Sequence, residues 1–281
     1  MTVRGLVRSP WTRFGVGVLA VVGVYLPLLP ALVEEWSTFP SLSHGFVVPF
    51  IAVALAWARR RRFATLMPAP SWAGLPIVGA GLGIYLLGTL AGEPFVARVS
   101  MLLALAGVIL FLGGGAVTRA ALPSVAYLAL MIPLPYVTVK GWTDQLRLVE
   151  ASASAWLLPL MGVPVLQDGF ILHLSNMTLE VAEVCSSIPA MMSLLALGAA
   201  FGYVTNRPPA THLLLIAAAV PLGLLSNIVR ITMTAAGVYY VGPITLQSAF
   251  HAWHGTVVFL MTVGALTLLD TGLMRLRPAP R

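Results

Sequence analysis

The feature that most constrains this chain is a succession of apolar runs, most of them long enough for a helix to cross a bilayer, separated mainly by short breaks. A spanning helix takes roughly 20 apolar residues, and in hydrocarbon only helices or closed barrels satisfy their own backbone groups. The runs fall at about 14–33, 44–58, 72–91, 98–116, 120–135, 186–204, 211–235 and 251–274. They predict an all-α polytopic membrane protein with about eight transmembrane helices, organised as a single membrane domain over residues 1–281. The second run is short and contains Pro49. The first offers Leu32-Val33 before Glu34, a poor small-residue cleavage site, and reads as a retained span rather than a signal peptide.

Charge then orients the spans. The net charge of +7 does not point to nucleic acid, because the basic residues form no soluble face; they sit in the breaks between apolar runs. Eight spans put both termini on one side. With the termini in the cytoplasm, the inner segments hold Arg4, Arg8, Arg13, Arg59, Arg60, Arg61, Arg62, Arg119, Arg207, Arg275, Arg277 and Arg281, which is 12 of the 16 basic residues. The outer side keeps Arg98, Lys140, Arg147 and Arg230. Such an asymmetry follows the positive-inside rule. Of the acids, only Asp270 falls on the inner side.

One outer segment, about 136–185, is too long to be a plain loop. Over 138–160, Trp142, Leu146, Val149, Ala153 and Trp156 recur at helical spacing with polar residues between them, the pattern of an amphipathic helix lying at a membrane surface. After Pro164 the stretch PVLQDGFILHLSNMTLEV carries an Asp-Gly turn and partial alternation, which predicts a small β-hairpin. This extracytoplasmic insert is the natural place to receive a substrate.

Ionisable residues near apolar spans are costly and often functional. Cys185 opens the sixth span, Arg230 lies toward the outer end of the seventh, and His251 opens the eighth. The predicted topology brings all three to the outer face at similar depth. As the only cysteine, Cys185 can form no intrachain disulfide and no cysteine-based metal site. A thiol, a histidine and a fixed cation form a workable acyl-transfer set. Cys185 would attack a peptide carbonyl, His251 would move the proton to the leaving amine, and Arg230 would hold the oxyanion. A helix N-terminus and a neighbouring cation would lower the thiol pKa, and Ser186 and Ser187 offer capping hydroxyls. Glu183 would anchor Arg230 or orient His251, or stand as a solvated acid. Each residue also has a plain reading: an inert core thiol, an arginine snorkelling to lipid phosphate, and an interfacial histidine beside Trp253. A metal site built from His44, His251 and His254 lacks a well-placed acid, so no metal or cofactor is expected.

Four stretches in order, EEWSTFPSLSHGFVVPFIAVALAWARRRR, LEVAEVCSSI, SNIVR and HAWHG, resemble motifs of the exosortase/archaeosortase family of membrane transpeptidases, the resemblance covering about residues 20–275. The first is similar to its Trp…Ser-His-Gly segment, span and basic run, and the second to its cysteine motif. The third, with Asn227 and Arg230, is similar to its Asn-x-x-Arg motif, and the fourth, with His251 and Gly255, to its His-x-x-x-Gly motif. The resemblance implies a Cys185, Arg230 and His251 site in the cytoplasmic membrane, facing outward, with Asn227 in support. It implies exported substrate proteins bearing a C-terminal signal: a short motif, a transmembrane helix and a basic tail. Such a signal is cut near the motif and the new C-terminus is passed to an acceptor. Ser187 and Pro189 stand where the family often has Gly and a basic residue. His254, three residues after His251, competes with it as the catalytic histidine, and His44 suits a substrate-contact or structural role. Two readings of another class remain: a small-molecule transporter, which would place charges near the midplane, often with internal repeats, and a noncatalytic scaffold for envelope polymers, which would tolerate loss of Cys185.

Overall fold

The computed structural model describes residues 10–181, 187–246 and 248–275. The chain forms two compact units, Met1–Leu134 and Pro135–Arg281.

The regular structure among the described residues of the first unit is all helical. It runs through α1 (Pro10–Tyr25), α2 (Leu29–Thr38), α3 (Val48–Ala58), α4 (Arg60–Thr65), α5 (Gly74–Leu90) and α6 (Pro94–Tyr127), with short 3₁₀ turns between α1 and α2, between α2 and α3, and after α6. Helices α5 and α6 pack at close range because their contact is made of small residues. A Cβ on Gly81 would lie 2.8 Å from the Ala104 nitrogen, and one on Gly88 would lie 2.8 Å from the Ala97 nitrogen. Without water between helices in a membrane, such close backbone approach is what favours association. Helix α6 is broken at Gly114, whose φ of 76° and ψ of 178° are not helical. There the Ala69 N–H donates to Gly113 O at 3.1 Å, and a side chain at 114 would collide with the Ala69 carbonyl. The break lies within the fourth expected span, 98–116, and a single apolar helical stretch, Pro94–Met131, covers that span and most of the fifth. Near the other end of the unit, Arg98, buried, forms a two-pronged ion pair with Glu35 at 2.6 and 2.9 Å.

The second unit comprises α7 (Tyr136–Leu160), a three-stranded antiparallel sheet, α8 (Ile188–Val204), α9 (Pro209–Tyr240) and α10 (Ser248–Arg275). The sheet has the order β1 (Val165–Asp168), β2 (Ile171–Leu174), β3 (Thr178–Glu180). The expected hairpin is therefore a meander with one strand more. Its first turn centres on Gly169-Phe170, since Asp168 pairs with Ile171. Gly169 has φ of 58°, the left-handed conformation a two-residue hairpin loop asks of its first central residue. Leu172 and Leu174 of β2 and Val181 just beyond β3 share a core with Ala151 and Leu158 of α7 and Ile231, Ala235 and Val238 of α9. Leu194 of α8, Leu215 and Ala219 of α9 and Leu266 of α10 form a second core.

Among the described residues, four helical stretches are long and apolar enough to cross a membrane: Trp11–Thr38, Pro94–Met131, Pro209–Tyr240 and Gly255–Arg275. Three shorter apolar helices, Val48–Ala58, Gly74–Leu90 and Ile188–Val204, accompany them. The chain is thus a multi-pass, predominantly helical membrane protein, and the apolar runs of the sequence fall mainly within its helices. Asp270, the acid that the charge count sets apart from the others, is buried in α10 and paired with Arg207 ahead of α9.

Candidate active site

Helix α7 carries its polarity inverted. Trp142, Val149 and Trp156, seven residues apart, are exposed, whereas Thr143, Arg147, Glu150 and Ser154 are buried on the opposite side. Seven residues is close to two helical turns, so the exposed stripe and the buried polar stripe each run along one face.

The buried stripe is fully used. Arg147 Nε donates to the Val181 carbonyl at 2.7 Å. Its guanidinium lies 4.3 Å from the Phe170 ring centre and pairs with Asp144 at 3.3 Å and Glu180 at 3.5 Å. One turn further on, Glu150 has no exposed surface. Its Oε1 accepts the Ser187 backbone N–H at 3.0 Å, and its Oε2 accepts the Asn227 side-chain amide at 2.7 Å. Burial pushes the Glu150 carboxyl above the usual carboxylate range. The hydrogen bonds from Ser187 and Asn227 and the charge of Arg147 pull the other way and do not outweigh it.

Arg230 follows Asn227 by three residues on α9, so the two lie on neighbouring positions of one face. The guanidinium packs against α10: a Cβ on Gly255 would lie 3.3 Å from Arg230 Nε and 3.4 Å from its Cζ. A side chain at 255 would make the cation give way by a few tenths of an ångström. Arg230 also lines a half-open cleft of about 100 Å³, walled by Leu172, Leu179, Glu180, Val181, Ile231 and Leu246. The cleft is largely apolar, with Arg230 and Glu180 as its charged groups. In sequence, Val181 precedes Cys185 by four residues and Leu246 precedes His251 by five.

Cys185, Glu183 and Ser186 lie outside the described residues, and so do the side chains of His251 and His254; the backbone of both histidines is in the first turns of α10. Of the other expected site residues, Asn227 and Arg230 sit together on α9, within the second unit. His44 belongs to the first unit, where its Nε2 hydrogen-bonds the Leu130 carbonyl at 3.0 Å. The neighbouring Met131 carbonyl accepts from Trp36 Nε1 at 3.0 Å, and a Cβ on Gly45 would overlap the Trp36 indole. The Trp…Ser-His-Gly segment is thereby a clamp on the 3₁₀ turn that follows α6. Ser187 caps α8 through no side-chain hydrogen bond; its backbone N–H is used instead. Arg147 and Glu150 were missed by sequence reasoning. Their signal was the placement of both charges on the side of α7 opposite its tryptophans.

Comparison with curated proteins and with solved structures returns no match. The family model described as transmembrane exosortase matches residues 36–268, from Trp36 of α2 through α9 and most of α10. The chain belongs to the transmembrane exosortase family.

Proposed function

We propose that this protein is a membrane cysteine transpeptidase that cuts the C-terminal sorting signals of exported proteins at the outer face of the cytoplasmic membrane. The observation that carries the reading is the seat of Arg230: a cation on the wall of an apolar cleft, pressed against Gly255. On a helix of 3.6 residues per turn, position 251 lies about 40° from position 255 around the axis, whereas position 254 lies about 100° away. That favours His251 over His254 as the partner of Arg230.

In this mechanism the Cys185 thiolate attacks the scissile carbonyl carbon and a C–S bond forms. The oxyanion of the tetrahedral intermediate is held by Arg230, in surroundings where little water screens the charge. As the C–N bond breaks, protonated His251 gives its proton to the leaving amine. The resulting thioester is opened by an acceptor nucleophile, or by water, whose proton returns to His251 as the C–S bond breaks. The apolar cleft suits a peptide entering from a lipid-anchored segment, and no cofactor takes part.

The eight-span topology with both termini in the cytoplasm belongs to this proposal. In its support, four ion pairs between described residues join groups that the charge count assigns to the same side: Arg98 with Glu35, Arg147 with Asp144 and Glu180, and Arg207 with Asp270. The exposed Trp142, Val149 and Trp156 stripe suits a helix resting in the outer lipid headgroup layer.

The test is processing of a tagged exported protein with a C-terminal span and basic tail, in cells carrying wild-type protein or Cys185→Ala at matched levels. Wild-type cells shorten the substrate and the alanine variant leaves it intact. Equal processing by the alanine variant would remove Cys185 as nucleophile, whereas processing by neither would bring the scaffold reading forward.

A further inference from the structure

Residues 182–186, which contain Cys185, are joined at either end to residues held by the same face of α7. Before them, the Val181 carbonyl accepts from Arg147 Nε at 2.7 Å, and the Val181 N–H donates to the Phe170 carbonyl at 2.9 Å. After them, the Ser187 N–H donates to Glu150 Oε1 at 3.0 Å. Arg147 and Glu150 are three residues apart, so they are neighbours on one helical face, and both are buried. The second carboxyl oxygen of Glu150 accepts from Asn227 at 2.7 Å, one turn before Arg230 on α9. From these contacts we infer that Arg147 and Glu150 are positioning residues: they hold the two ends of the cysteine-bearing segment and, through Asn227, tie it to the helix that carries Arg230.

The chemistry of the contacts fits holding better than catalysis. Glu150 has no exposed surface and its two oxygens are both occupied, so it is not presented to a substrate. Arg147 is engaged by a carbonyl, a ring face and two carboxylates. A buried acid with its oxygens taken by donors from two other elements fixes distance and direction, because leaving either donor unpaired is costly. The same contacts give the asparagine of the Asn-x-x-Arg motif a physical task. It sets the α9 register against the start of α8 while Arg230 reaches the cleft.

The inference rests on the reading of Cys185 as nucleophile, and a test without substrate separates the two. Cys185 is the only thiol in the chain, so alkylation by a small maleimide reports on it alone. The rate is measured against pH on full-length protein in detergent, for wild type, Glu150→Ala, Arg147→Ala and Glu150→Gln, alongside substrate processing. Glutamine keeps an oxygen for Ser187 and can pair with Asn227 once that amide turns over. Both alanine variants are expected to change the alkylation rate at pH 7 and shift its pH midpoint, and to slow processing roughly 10- to 100-fold, the scale of a nucleophile misplaced by about 1 Å. Glu150→Gln is expected to stay near wild type in both. Wild-type alkylation profiles in both alanine variants overturn the inference, even if Cys185→Ala abolishes processing. Conversely, altered profiles uphold the positioning role even where Cys185→Ala processes normally, which would refute only the nucleophile assignment. If an alanine variant fails to accumulate, Asn227→Ala and Arg147→Lys are read in the same way: a displaced profile supports the inference and an unchanged one overturns it.

Discussion

A methyl group placed on Gly255 should separate activity from stability. The added Cβ would lie 3.3 Å from Arg230 Nε, 3.4 Å from Cζ and 3.5 Å from Nη2, so the guanidinium must give way by a few tenths of an ångström. The helix itself does not suffer, since alanine is favoured over glycine in a helix interior by about 0.5–1 kcal/mol. Gly255→Ala should therefore melt in detergent at or slightly above the wild-type temperature. Complete loss of an oxyanion donor costs roughly 100- to 1000-fold in rate, and a partial displacement should cost less, about tenfold or about 1.4 kcal/mol. Gly255→Leu, which drives the cation away from the helix, should approach the full loss. The assay is the initial rate of substrate processing in cells with matched protein levels, paired with thermal melting of the purified variants. If both variants process at the wild-type rate, Arg230 does not act from its seat on α10 and the proposed oxyanion role is wrong. A rate loss that tracks a drop in melting temperature would equally refute it, since packing damage would then be the cause.

Two further outcomes follow from side-chain hydrogen bonds. His44→Ala removes the bond to the Leu130 carbonyl and should lower stability by about 0.5–1.5 kcal/mol in a melting experiment. Processing per folded molecule should be retained, and abolished processing at full stability would instead make His44 a substrate contact. For Glu150, the folded protein holds a proton more tightly than the unfolded chain, whose carboxyl titrates near its ordinary value of 4.5. The stability this group contributes is complete below that value and is lost as pH rises through its raised folded pKa. Melting temperatures of Glu150→Gln and wild type should therefore diverge in the variant's favour as pH rises through that window. Parallel curves would mean that burial does not shift the carboxyl.

How much of the protein was legible in its sequence depended on the range of the interaction concerned. Apolar runs were legible because partition into lipid is decided residue by residue along a contiguous stretch, so the helical, multi-pass character needed no knowledge of neighbours. The motif residues Asn227, Arg230 and Gly255 were legible by their order and spacing, and their spacing on two helices also carries their faces. The third strand was not, because Thr178–Glu180 is too short to signal itself and exists through its pairing with β2. The break in α6 was not, because Gly113-Gly114-Gly115 reads as a weak helical stretch until the Ala69 backbone is found against it. Arg147 and Glu150 looked like the solvated face of an interfacial helix. Only packing against the sheet and α9 reveals that face to be the buried one, because burial belongs to the assembled elements and not to the helix alone. The sequence by itself thus determined that this chain is a multi-pass membrane protein and which of its residues stand in the family's motifs. The tertiary structure alone decided which charges are buried and what they hold, because partners such as Glu150 and Asn227 stand 77 residues apart and no local pattern records the contact.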